Sequence, residues 1–166
     1  MSEGMVERSQ GCTSDAPAHI EDVLARDGVY VGTTSGVSMW PMLRNRRDTI
    51  VVACPTGRLE RFDVALYRRG DAYVLHRVVG VQPHAYTILG DNCLNLERDV
   101  RDEQVIGVLA GFFRGDRRVN MGGVGYRAYV RVWYVLYPLR RVFMRVRGMV
   151  VRGPAGDAVR ALRGRL

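Results

Sequence analysis

Asp63-Val64-Ala65-Leu66-Tyr67, then Arg69-Gly70-Asp71, then Ala72-Tyr73-Val74-Leu75-His76-Arg77-Val78-Val79-Gly80-Val81 read as two β-rich runs joined by a tight turn. That pattern predicts an antiparallel hairpin. Upstream, residues 49–53 (TIVVA) form another strand pattern, closed by the turn-forming residues 54–57 (CPTG). Residues 29–34 (VYVGTT) are β-rich and lead into Gly36-Val37-Ser38. Downstream, residues 86–89 (YTIL) end at Gly90-Asp91-Asn92, and residues 104–113 form a long apolar run. Short strands between turns at this spacing predict a mainly β domain, a coiled antiparallel sheet or barrel. A short helix is expected over residues 19–26 (HIEDVLAR), with Ile20, Val23 and Leu24 on one face. The polar residues 1–17 carry no such pattern and are expected to be disordered.

The net charge of +8 is unevenly placed. From Tyr126 onward there are ten arginines and one acid, Asp157, whereas the first 125 residues carry fifteen arginines against sixteen acids. The basic character therefore belongs to the C-terminal segment. Residues 126–151 (YRAYVRVWYVLYPLRRVFMRVRGMVV) predict a helix interrupted near Pro138. Arg127, Arg131, Arg141 and Arg145 fall within about 80° of one another on a helical wheel, with aromatic and aliphatic residues covering much of the rest. That composition suits either a helical arm packed on the domain or a segment lying at an anionic membrane surface. No run of about 18 uninterrupted apolar residues is present, and no signal peptide is read at the N-terminus. Three cysteines without a CxxC pair favour neither a disulfide framework nor a zinc site, and no cofactor is expected. The expected organisation is a polar segment and short helix over 1–27, a β domain over 28–121, and an arginine-rich amphipathic arm over 122–166.

Three blocks carry chemistry, in this order: Ser38-Met39-Trp40-Pro41-Met42-Leu43, then His76-Arg77-Val78-Val79-Gly80, then Gly90-Asp91-Asn92. All 25 basic residues are arginine. Arginine stays protonated at any working pH and cannot serve as a general base. A serine hydroxyl needs a base to remove its proton, and neutral imidazole is suited to that task. His76 is the candidate. His19, in the short helix, and His84, in a turn, are expected at the surface.

The ordered set resembles the signal peptidase and LexA-like superfamily of serine proteases, over about residues 29–111. In that superfamily the serine of an S-M-x-P motif is the nucleophile, which the resemblance places at Ser38. With no lysine in the chain, the resemblance implies the branch of the ER and archaeal signal peptidases, whose base is a histidine, here His76. The resemblance also implies a carboxylate that orients the base: Asp91 first, then Glu97, where the family has aspartate, then Asp99. It implies an oxyanion hole built from the Ser38 N–H and a second donor. Relatives that use a serine hydroxyl two residues before the nucleophile have no counterpart at Gly36, so Ser35 or a backbone group must serve. The implied substrate is a peptide or preprotein bound as an added strand and cut after small residues.

The leading expectation is thus a serine endopeptidase that cleaves a leader, a propeptide or a membrane-proximal segment. The alternatives are an inactive binding module on the same fold, and a membrane- or nucleic-acid-binding protein acting through the arginine-rich arm. Nucleic acid is not the expected partner, because aromatic and aliphatic residues share that arm. A self-cleaving repressor fits poorly, with 37 residues before Ser38 and no Ala-Gly cleavage site among them. The expected location is cytoplasmic, either free or peripheral at the inner face of the membrane.

Overall fold

The structure is a computed structural model, and it describes residues 19–143. The expected disordered segment 1–17 and the arm beyond residue 143 lie outside the described residues. The chain is mainly β, a curled antiparallel half-barrel sheet with a C-terminal helical region. A short helix, α1 (Ile20–Asp27), precedes β1 (Val29–Thr33), β2 (Asp48–Ala53), β3 (Val64–Arg69), β4 (Ala72–Val81), β5 (Ala85–Leu89) and β6 (Glu97–Arg101). A 3-10 turn (Asp102–Gln104) leads to β7 (Val105–Arg114) and β8 (Arg117–Val119), and α2 (Val124–Val135) follows. The sheet order is β1-β2-β7-β3-β4-β5-β6, with β8 added on β7.

The hairpin forms as its turn residues dictate. Gly70 takes φ 59° at the tip, a left-handed conformation open to glycine. This fixes the register: Ala65 opposes His76, Tyr67 opposes Val74 and Arg69 opposes Ala72. β3 is central and buried on both faces over Val64, Ala65, Leu66 and Tyr67. Alternate residues therefore feed two cores. Val64 and Leu66 join Leu24, Met39, Met42, Leu43, Ile50, Val52, Leu109 and Phe112 in one. Ala65 and Tyr67 join Leu59, Val78, Tyr86, Ile88 and Val100 in the other.

β6 (Glu-Arg-Asp-Val-Arg) and β8 (Arg-Arg-Val) carry charges rather than a strand pattern, and the sequence signals neither. β6 is an edge strand with only Val100 buried, so polar side chains cost nothing there. The helix expected around Pro138 is interrupted as anticipated: α2 closes at Val135, and helix resumes over residues 137–143. Over these residues the C-terminal segment packs on the sheet domain, with Val130 buried and Tyr126 and Tyr129 against the first core. α1 docks on the hairpin, where Glu21 accepts hydrogen bonds from Tyr73 and Arg68 at 2.9 and 2.7 Å.

Candidate active site

A cavity of about 690 Å³ opens between the β1 end, the Ser38 turn and the β3–β4 hairpin. Ser35, Gly36, Ser38, His76, Cys93 and Glu97 all line it, over an apolar floor that includes Met39, Leu43, Ile50 and Leu66. Ile20 and Tyr73 form a further wall, which gives α1 a part in shaping the cleft. Ser38 lies in the turn after β1, and Met39 and Leu43 anchor that turn by burying their side chains in the first core. Behind it, Asp48 accepts from the Arg44 N–H at 3.1 Å and from Arg114 at 3.2 Å, and Arg114 also donates to the Met42 carbonyl at 2.8 Å.

His76 is buried on β4, on the face that Ala65 and Tyr67 share. Its Nδ1 lies 3.2 Å from Glu97 Oε1 and 3.3 Å from the Tyr67 hydroxyl. Arg69 reaches the same Glu97 oxygen at 3.0 Å. Its Nε2 points the other way: a methyl group on Gly90 would lie 2.9 Å from Nε2, 2.8 Å from the Ser38 carbonyl oxygen and 2.7 Å from Cys93 Sγ. Glycine at position 90 is thus what lets the ring, the Ser38 turn and the 90–94 loop close on one another. The Ser38 hydroxyl makes no hydrogen bond to the ring among the described residues. Such bonds are often long before substrate binds and tighten in the Michaelis complex.

Burial pushes the His76 pKa below the ordinary histidine value; the Glu97 charge opposes that push, and Arg69 adds to it. The depressed pKa favours the neutral ring, the form a general base would require. Burial also raises the Tyr67 pKa, helped by its hydrogen bond to Glu97, so its hydroxyl stays protonated and remains a donor. Burial likewise raises the Cys93 thiol, which disfavours a reactive thiolate. Tyr67 was not among the residues singled out from sequence. The hairpin register reveals it, because it lies two residues from Ala65, the cross-strand partner of His76.

Asp91, the first carboxylate expected to orient the base, does not meet His76. It sits on the opposite face of β4, fully buried against Arg77, and Arg77 Nε and Nη2 reach its two oxygens at 2.9 and 2.8 Å. Adjacent strand residues point to opposite faces, so the carboxylate that holds Arg77 cannot also hold His76. Burial works against the Arg77 charge, but the hydrogen bonds and charge of Asp91 outweigh it and raise its pKa. Asp99, the third choice, is exposed on β6 with φ 59°. Glu97 is the acid that meets His76. His19 and His84 are exposed, as expected for surface residues. The Gly36 N–H donates to Asn45 Oδ1 at 2.9 Å and so is engaged away from the cleft; Ser35 stays on the cavity lining as a candidate second oxyanion donor. Among the described residues no group of His, Cys, Asp and Glu is arranged to hold a metal ion.

A scan against protein-family models matches none, and a search of curated proteins finds no match.

The two carboxylates should separate cleanly by mutation. Asp91→Ala leaves Arg77 buried without its counter-ion and should lower unfolding stability by about 3–5 kcal/mol. Glu97→Ala, at a partly exposed site, should change it by less than about 1 kcal/mol. Urea denaturation of both variants checks this.

Proposed function

We propose that the chain is a serine endopeptidase with Ser38 as nucleophile, His76 as general base and Glu97 as the carboxylate that orients it. The observation that carries this reading is the Glu97 Oε1–His76 Nδ1 contact of 3.2 Å, made by a buried histidine in the same cavity as Ser38. The resemblance of the Ser38, His76 and Gly90-Asp91-Asn92 blocks to signal-peptidase-like proteases supports the same assignment.

The chemistry follows from the two ring nitrogens. Nδ1–H is held by Glu97, which leaves the Nε2 lone pair directed toward the Ser38 turn. Nε2 takes the Ser38 hydroxyl proton as Oγ attacks the scissile carbonyl carbon. The oxyanion is held by the Ser38 N–H and a second donor, for which Ser35, on the cavity lining, is the candidate. His76 then returns the proton to the amine as the C–N bond breaks. Water then attacks the resulting ester and gives a proton to Nε2, which passes it to Ser38 Oγ as the ester C–O bond breaks, releasing the acid and free Ser38. Substrate binds extended along β1, an edge strand that lines the cleft.

The C-terminal helix supports a location for this activity at an anionic membrane surface. Among the described residues no helix is long and apolar enough to cross a membrane. Yet Val132, Val135, Leu136, Leu139, Val142 and Phe143 are exposed and recur at helical spacing, beside the exposed Arg127, Arg131 and Arg141. Val37 and Trp40, flanking the nucleophile, are also exposed. An apolar stripe edged by arginines fits the interfacial region of a charged bilayer. Such a placement would bring membrane-proximal peptides to the cleft.

The catalytic assignment is checked by digesting a peptide library. Wild-type protein should cut, and Ser38→Ala should lose all cutting while keeping its β-sheet circular dichroism; cleavage that survives the substitution ends the protease reading. The pH profile of kcat/KM should be flat near neutrality and fall on acidification, with a midpoint below about 6.5, because burial depresses the His76 pKa. A midpoint above 7 would remove His76 as the base. For the membrane reading, sedimentation with phosphatidylglycerol vesicles should show binding that weakens with salt. Val135→Asp with Leu139→Asp should abolish that binding, and undiminished sedimentation of the double variant would overturn the docking.

A further inference from the structure

The geometry points to the C-terminal helical segment as a positioning element of the active site: Trp133, Tyr137 and Arg140 lock the 90–94 loop, and through it the nucleophile turn. The inference rests on the protease reading for its catalytic consequence, but its structural core is independent of that reading.

The loop between β5 and β6 has few ladder bonds of its own, and helix side chains satisfy its outward carbonyls. Trp133 Nε1–H donates to the Asp91 carbonyl at 2.9 Å, and the Arg140 guanidinium donates to the same oxygen. The Tyr137 hydroxyl donates to the Leu94 carbonyl at 2.7 Å. Arg140 also lies 3.7 Å above the Trp133 ring, which fixes both side chains together. Between the two clamped carbonyls stands Asn92. Its N–H donates to the Ser38 carbonyl at 2.7 Å, and its side-chain amide donates to the Val37 carbonyl at 3.2 Å. The same loop places Gly90 and Cys93 against His76. One continuous set of hydrogen bonds therefore runs from the helix through Asn92 to the backbone of the nucleophile. Displacement of a reacting group by about 1 Å is enough to cost roughly a hundredfold in rate.

None of the three side chains lines the cleft, so none is a catalytic residue in this account. Their effect is transmitted through Asn92. The prediction is a loss in kcat with KM held, because the cavity that binds substrate is built from other residues.

The test uses the full chain with Trp133→Phe, Tyr137→Phe and Arg140→Met combined, and with Arg141→Met alone as a control at an exposed neighbour outside the clamp. Amide hydrogen exchange is read at Asn92 and at core amides of β2 and β3. The Asn92 amide should exchange at least about tenfold faster in the triple variant, with the core amides still protected, and Arg141→Met should stay near wild type. In peptide cleavage, kcat should fall about 10- to 100-fold with KM within about twofold. An Asn92 amide as protected as in wild type would overturn the inference. So would accelerated exchange at Asn92 accompanied by an unchanged kcat. If wild-type protein cuts no peptide while Asn92 loosens as described, the coupling stands and the protease reading falls. If the triple variant does not fold, Tyr137→Phe alone carries the same exchange test at Leu94 and Asn92.

Discussion

The buried Arg77–Asp91 ion pair is the constraint that ties together the segments packed around β4. Arg77 spends its five N–H donors on Asp91 twice, the Phe62 carbonyl at 3.1 Å, the Tyr126 hydroxyl at 2.9 Å and Met42 Sδ at 2.8 Å. Those partners belong to the 90–94 loop, the turn before β3, α2 and the Ser38–Leu43 block, at Met42 just after the S-M-x-P residues. A buried ion pair adds little net stability over a well-packed apolar substitute. What it supplies is a single geometry, because any other arrangement strands a charge in the core. The His76 face of β4 inherits that geometry, since His76 is the neighbour of Arg77 on the same strand.

Much of the sheet was legible because its pattern is local. Residues 72–81 were expected as a strand and form β4 over the same bounds; residues 49–53 and 104–113 match β2 and β7 to within one residue at each end. The turn residues Gly70 and Asp71 carry the hairpin register. β6 stayed hidden because its stability comes from pairing with β5 and from one buried side chain, Val100, and neither leaves a periodic trace among Glu97, Arg98, Asp99 and Arg101. The C-terminal segment was legible as a broken helix, but not as a clamp. Nothing local announces that Trp133 and Arg140 end on one backbone carbonyl some forty residues earlier.

The candidate site shows the same division. Ser38 and His76 stand in ordered motif blocks, and one cavity brings them together. The choice of carboxylate was a long-range question. Motif order favours Asp91, whereas strand alternation sends Arg77 and His76 to opposite faces, so each takes a different acid: Asp91 on the Met42 side, Glu97 on the Tyr67 side. The added length of glutamate over aspartate suits a carboxylate that must reach His76 from the edge strand β6.

The protonation of His76 depends on both its Glu97 contact and its burial, and nitrogen-15 NMR of its imidazole is the most direct test. At neutral pH the account predicts a neutral ring with the proton on Nδ1, shared toward Glu97, and a bare Nε2. Glu97→Gln should weaken that tautomer preference, and Asp91→Asn, if folded, should not. A ring protonated on Nε2 at neutral pH, or a tautomer that responds to Asp91 and ignores Glu97, would contradict the assignment of the site.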